Sequence, residues 1–264
     1  AQAPVFAANT PDTITVITDA NNLNCFDTMA INIKPFISDC DSTTLMITNS
    51  RTAQGAEYSE MLSKGTYTLV FTAKDGNNNL STHTITLIVK DGTNPIAACI
   101  NGISVSLQSS GTVTVTTANI NANSSDNCTP MNMLGLKIQR LDPLGPVTNI
   151  ITFGCSDADA VTQHPVKLLV TDEAGNMSMC ETYVVVQDNV FPTITSCPPN
   201  KTVACDTDLS PTALGTATAT DNCPNVQVTF TDTIVDGSGQ ACTAIDRTWK
   251  ASDLSGNIVS CVQI

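Results

Sequence analysis

The sequence predicts an all-β fold of three tandem immunoglobulin-like β-sandwich domains arranged as beads on a string. Three observations carry this expectation: a β-rich hairpin returns about every ninety residues, short Thr/Val/Ile runs alternate with turn residues, and cysteines recur at fixed places in the repeat. The hairpin is read from F-T-A-K-D-G-N-N-N-L-S-T-H-T-I-T-L-I-V-K-D (71–91), L-L-V-T-D-E-A-G-N-M-S-M-C-E-T-Y-V-V-V-Q-D (168–188) and W-K-A-S-D-L-S-G-N-I-V-S-C-V-Q-I (249–264). In each, a β-rich run meets an Asp, a tight turn, an Asn and a second β-rich run. Asn79 to Asp91 and Asn176 to Asp188 keep one register, and a proline follows at Pro95 or Pro192. The expected domains are therefore 1–91, 92–188 and 189–264. By the same register the third unit stops about five residues short of a full last strand.

Runs such as T-I-T-V-I (13–17), T-V-T-V-T (112–116) and V-Q-V-T-F-T (226–231) are bounded by Gly, Pro, Asn and Asp, and helical periodicity is missing. About seven such strands per unit is the pattern of an immunoglobulin-like sandwich. Phe71, Leu168 and Trp249 each stand four residues before the turn Asp, which assigns Trp249 to a core and not to a sugar platform.

Lys and Arg number 11 against 24 Asp and Glu, a net charge of −13, so a nucleic-acid partner is excluded as a reading. No apolar run is long enough to cross a bilayer, and no basic-plus-apolar leader opens at Ala1. Either a signal peptide has been removed or the chain is an excised piece. His83 and His164 have no evident nucleophile or orienting partner, so no catalytic residue is assigned and the chain is read as a non-enzyme with no required cofactor.

The repeats act as controls for the eleven cysteines. Cys99 and Cys197 follow the linker prolines, Cys180 and Cys261 stand four residues past the turn Asn, and the first unit has Ala8 and His83 in those places. Joint loss of both partners predicts Cys99–Cys180 and Cys197–Cys261, first strand to last. Within-unit elimination then leaves Cys25–Cys40 and Cys128–Cys155. In the third unit Cys205 and Cys242 compete for Cys223; the pairing Cys205–Cys223 leaves Cys242 over, and exchange of the two is the other arrangement. Zinc is the rival use of these thiols, but no C-x2-C pair occurs. Each bridge is worth about 3.5 to 4.5 kcal/mol by chain entropy and implies an oxidising, extracellular setting.

These residues carry a family resemblance. C-P-P-N-K-T-V (197–203), T-A-T-D-N-C (218–223), R-T-W-K-A-S-D-L-S-G-N (247–257) and Cys261 resemble a hyalin repeat; Cys99, D-N-C (126–128), V-T-D-E-A-G-N (170–176) and Cys180 match it in the second unit. The first unit keeps the final hairpin alone. Hyalin repeats are similar to immunoglobulin-like modules of cell adhesion, and strings of them resemble the secreted surface adhesins of Bacteroidetes-type bacteria. D-T-I (12–14), D-T-M (27–29), D-S-T (41–43) and D-T-I (232–234) resemble the short O-glycosylation motif of such bacteria, which places sugars on Thr13, Thr28, Ser42 and Thr233.

The acidic loops support two readings. In a sandwich of this topology the last hairpin turn lies where the chain enters, so Asp172 and Asn176 are expected to face Asp91, and Asp253 and Asn257 to face Asp188. Asp126 and Asp221 belong at the same ends, and D-N-V-F-P (188–192) is similar to the calcium-holding cadherin linker. Calcium takes six to eight oxygens, and these carboxylates with backbone carbonyls could supply them. D-x-x-G-N is equally the chemistry of a tight turn, with Gly at positive φ and Asn78 in that place in the first unit.

The resemblance makes an extracellular structural or adhesive segment at a bacterial cell surface the leading function. The alternative is the protomer of a self-assembling extracellular filament, since an unfinished sandwich edge accepts a neighbour's strand. A carbohydrate-binding module is the third class, weakened by scarce aromatics. The partners implied are further repeats or other copies of the chain; no glycan or cell-surface ligand is named by the sequence.

Overall fold

A computed structural model describes residues 2–18, 24–40, 42–53, 55–204, 206–235 and 244–264. The chain gathers into two compact units. One holds Ala1–Ala98, Asn123–Gly135 and Val170–Met179; the other holds Cys99–Ala122, Leu136–Leu169 and Cys180–Ile264. The middle sequence repeat contributes to both.

In the first unit β1 (Val5–Phe6) pairs antiparallel with β4 (Ile37–Ser38), and β3 (Phe26–Asn32) with β6 (Glu57–Ser63). A four-stranded sheet runs in the order β2 (Thr13–Ile17), β8 (Leu80–Lys90), β7 (Gly65–Lys74), β5 (Met46–Asn49). Strict alternation along β7 and β8 sends Leu69, Phe71, Ile85 and Leu87 inward, each fully buried. They pack with Met29, Ile33, Tyr58 and Leu62 from the β3–β6 side, so two sheets close on one core. Strand β2 runs parallel to β8, from Thr13 opposite Thr86 to Ile17 opposite Lys90.

The middle repeat repeats this plan. Its sheet is β11 (Gly135–Arg140), β13 (Gln163–Thr171), β14 (Met177–Gln187), β9 (Ile103–Ser106), with β9 parallel to β14. Strand β10 (Thr112–Thr116) pairs with β12 (Ile150–Gly154). Val115, Ile138, Phe153, Val166, Leu168 and Val184 are fully buried.

The third repeat is thinner. Strand β15 (Thr193–Ser196) pairs with β16 (Thr218–Thr220), and β17 (Gln227–Ile234), β18 (Ile245–Ser252) and β19 (Ile258–Gln263) form one antiparallel sheet. Trp249 is 2% exposed and donates Nε1–H to Gln263 (3.4 Å); Arg247 lies 4.5 Å from the Phe230 ring centre. Strand β19 has no parallel neighbour among the described strands, whereas β8 and β14 have β2 and β9. Ile264 does start such a contact, because Lys201 donates its N–H to the Ile264 carbonyl (2.9 Å).

All three hairpins turn through a left-handed residue, Asn78 (φ 68°), Gly175 (φ 93°) and Gly256 (φ 89°). This part of the tertiary plan is an all-β, tandem immunoglobulin-like architecture.

Candidate functional site

Four disulfides are formed among the described residues: Cys25–Cys128, Cys99–Cys180, Cys155–Cys223 and Cys197–Cys261. Cys99–Cys180 and Cys197–Cys261 each tie the opening segment of a sequence repeat to its last strand, β14 or β19. The other two correct the within-repeat expectation. Cys25 is bonded not to Cys40 but to Cys128, and Cys155 not to Cys128 but to Cys223, so Cys205–Cys223 is also excluded. Cys40 is free and exposed; Cys205 and Cys242 lie outside the described residues.

Local geometry explains the exchange. Cys25 sits at the open end of the β3–β6 ladder, where its carbonyl accepts the Lys64 N–H (2.8 Å), and Lys64 Nζ reaches the Cys128 carbonyl (3.5 Å) and Glu173 (2.9 Å). Cys155 follows the end of β12, and its sulfur lies 3.5 Å from the Gly111 carbonyl and 3.8 Å from that of Asn222. Gly111 permits that approach: a Cβ there would sit 2.6 Å from the Asn222 carbonyl oxygen, at φ +72°. Asn222 also donates to the Gln108 carbonyl (3.2 Å). Each Asp-Asn-Cys loop is therefore bonded to the repeat that precedes it in sequence.

The same loops carry acidic clusters. Asp126 Oδ2 accepts the N–H groups of Cys128 (2.9 Å) and Thr129 (2.7 Å), and Asp221 Oδ2 accepts that of Cys223 (3.2 Å). Asp91 Oδ1 accepts the Thr93 N–H (3.0 Å); Asp188 Oδ1 accepts those of Val190 (3.1 Å) and the Asn222 amide (3.2 Å). Asn176 donates its amide to the Asp91 and Thr93 carbonyls (3.2 Å each) and to Asp172 Oδ2 (2.8 Å). Asn257 does the same to the carbonyls of Asp188 (2.9 Å) and Val190 (3.2 Å) and to Asp253 Oδ2 (2.8 Å). All eight acidic and amide residues singled out in the sequence thus fall at these two places.

The hairpin at Asp75 separates turn chemistry from the rest. Asp75 accepts the Asn79 N–H (2.8 Å) and side-chain amide (2.7 Å), as Asp172 and Asp253 accept those of Asn176 and Asn257. The turn alone accounts for those aspartates. It does not account for Asp91 and Asp126. One carboxylate oxygen each from Asp91, Asp126 and Asp172 lies within 4.8 Å of the others. Asp91 is 4% exposed, its Oδ2 is buried without a hydrogen-bond donor, and so are Asp126 Oδ1 and Thr93 Oγ1. At the second place Asp188, Asp221 and Cys223 come as close, with Asp221 Oδ1 buried and without a donor. Burial raises the Asp91 pKa, and the charges of Asp126 and Asp172 add to it; the Thr93 N–H and Lys64 oppose. Asp75, held by Asn79, titrates lower than an ordinary carboxyl.

The four serine and threonine positions of the glycosylation motif, Thr13, Thr28, Ser42 and Thr233, are all exposed. His164 is held by Arg140 (3.3 Å) and the Asp157 carbonyl (2.9 Å), partners that the sequence did not reveal.

No family model matches the chain, and no curated protein matches it in sequence. Among solved structures, immunoglobulin domains 1 to 5 of Sidekick-1 are similar with a TM-score of 0.50 and 12% identity, over 100% of this chain. The chain spans 58% of the length of that structure. A three-immunoglobulin-domain titin fragment gives 0.44 and 11%, covering 100% of this chain and 98% of its own. A protocadherin gamma extracellular domain gives 0.35 and 18%, covering 98% and 48%. At such identity the Sidekick-1 likeness is one of fold: tandem immunoglobulin-like domains. No helix among the described residues is long and apolar enough to cross a membrane.

Proposed function

We propose that the chain is a segment of an extracellular structural or adhesive protein at a bacterial cell surface, built from three hyalin-type repeats spanning 1–91, 92–188 and 189–264. The observation that carries this reading is the pair of disulfides, Cys25–Cys128 and Cys155–Cys223, that cross from one sequence repeat to the next. A staple between repeats removes freedom at the linker, which benefits a stalk that must hold a shape. Bridges of this kind persist in oxidising compartments. Proteolytic shaving of intact producing cells tests the reading: peptides of this chain are expected in the shaved fraction. Their confinement to the lysate after cell breakage contradicts it.

A filament protomer is the second reading, and β19 favours it. Among the described strands β19 lacks the parallel neighbour that β8 and β14 possess, and Val262 is about half exposed, 49%. Regular fibres in negative stain of the purified chain would support this reading; a monodisperse monomer at high concentration would oppose it.

A further inference from the structure

We propose that Asp91, Asp126 and Asp172 form a calcium site, with a weaker counterpart at Asp188 and Asp221. The acidity of the cluster is not the reason, since exposed acidic groups are common. The reason is the state of its oxygens. Asp91 is 4% exposed, yet its Oδ2 is buried with no donor, and Asp126 Oδ1 and Thr93 Oγ1 share that condition beside it. Buried acceptors are ordinarily satisfied, and a buried carboxylate is ordinarily paired with a cation or bound to a metal.

Among the described residues, the cation whose charge acts on Asp91 is Lys64, and its ammonium is bonded elsewhere. Lys64 places its Nζ on Glu173 (2.9 Å) and on the Cys128 carbonyl (3.5 Å). The other carboxylate oxygens are occupied in an orderly way: Asp91 Oδ1 caps Thr93, Asp126 Oδ2 caps Cys128 and Thr129, and Asp172 is held by Asn176. Those bonds fix the three carboxylates and leave Asp91 Oδ2 and Asp126 Oδ1 free to ligate. The donors are all oxygen, and the nearby Cys128 and Cys223 sulfurs are consumed in disulfides, which excludes a thiolate metal site. Hard oxygen donors from carboxylates, a hydroxyl and water suit calcium, whereas magnesium demands stricter octahedral geometry.

The second place repeats the arrangement with fewer donors. Asp221 Oδ1 is again buried without a donor, but Val190 stands where the first has Thr93, and Asp188 is partly satisfied by Asn222. The first site is therefore the tighter. Among the described residues the hairpin at Asp75 and Asn79 has the turn without a cluster of further carboxylates, so no ion is expected there.

The test uses the full chain, stripped with chelator and titrated with calcium chloride or magnesium chloride, following both heat and melting temperature. Calcium is expected to raise the melting temperature saturably, with dissociation constants on the order of 0.1 to 1 mM, as in extracellular modules. Asp91→Asn and Asp126→Asn weaken the tighter site about tenfold or more, Asp221→Asn removes the weaker one, and Asp75→Asn changes neither. Asp126→Asn keeps an acceptor for the Cys128 N–H, so it tests the site independently of Asp91→Asn. The proposal is overturned by absence of heat and stabilisation at about 10 mM calcium, by equal stabilisation with magnesium, or by folded Asp126→Asn protein that binds calcium as the parent does.

Discussion

The loop around Asp126 and Cys128 and the loop around Asp221 and Cys223 do the same work with different materials. Both bond a cysteine of the preceding repeat, and both receive an asparagine whose amide spans two linker carbonyls, Asn176 on Asp91 and Thr93, Asn257 on Asp188 and Val190. They differ in what lies beside the acid. The first has Thr93, a buried Asp172 and the Lys64–Glu173 pair; the second has Val190, a less buried Asp253 and Asn222 on Asp188. The shared parts, covalent bridge and amide clamp, hold the linker, while the variable parts decide how much uncompensated negative charge is buried there.

The largest effect expected from breaking this likeness comes from the bridges. Replacing Cys25 and Cys128 by serine, or Cys155 and Cys223, is expected to cost about 3 to 5 kcal/mol in either case by loop-closure entropy. Denaturant unfolding under non-reducing conditions measures it, and a cost at only one of the two loops would mean that the other bridge is dispensable. Next come the amide clamps. Asn176→Ala and Asn257→Ala are expected to cost about 2 kcal/mol each, and Asn79→Ala, whose amide reaches Asp75 alone, about 1 kcal/mol.

The electrostatic difference is read by pH. Asp91 has a folded-state pKa above its unfolded value, so the folded chain holds that proton more tightly, and stability is gained as pH falls through the raised pKa, above the ordinary value of about 4. In chelator, Asp91→Asn is expected to stabilise the protein at neutral pH and to lose that advantage on acidification. Asp75 has the opposite sign: its pKa is depressed, and its contribution disappears as pH falls through the lowered value. A melting curve for Asp91→Asn that parallels the parent at every pH would remove this distinction. The smallest effect belongs to the partly exposed Lys64–Glu173 pair, where Lys64→Ala is expected to cost about 0.5 kcal/mol, and less in high salt.

Much of the architecture was legible because it is written in local chemistry. Asp75, Asp172 and Asp253 with their asparagines specify one turn, and the residue four places earlier, Phe71, Leu168 or Trp249, is buried in every case. The strand-to-strand bridges were legible because Ala8 and His83 replace both partners together in the first repeat. The bridges at Cys128 and Cys223 were not, because the loops that carry them are closed by chain far away in sequence, 103 and 68 residues. A signal existed: the Asp-Asn-Cys motif occurs in the two repeats that follow another repeat and is absent from the first. The topology brings the acidic residues to the linkers, but which of their oxygens lack donors depends on side-chain geometry that no spacing encodes.

The most direct test is which cysteines are joined. Proteolysis of the non-reduced protein at acidic pH, with mass-spectrometric identification of linked peptides, is expected to recover Cys25 with Cys128 and Cys155 with Cys223. Recovery of Cys25 with Cys40 and of Cys128 with Cys155 would contradict it, leaving each repeat closed on itself.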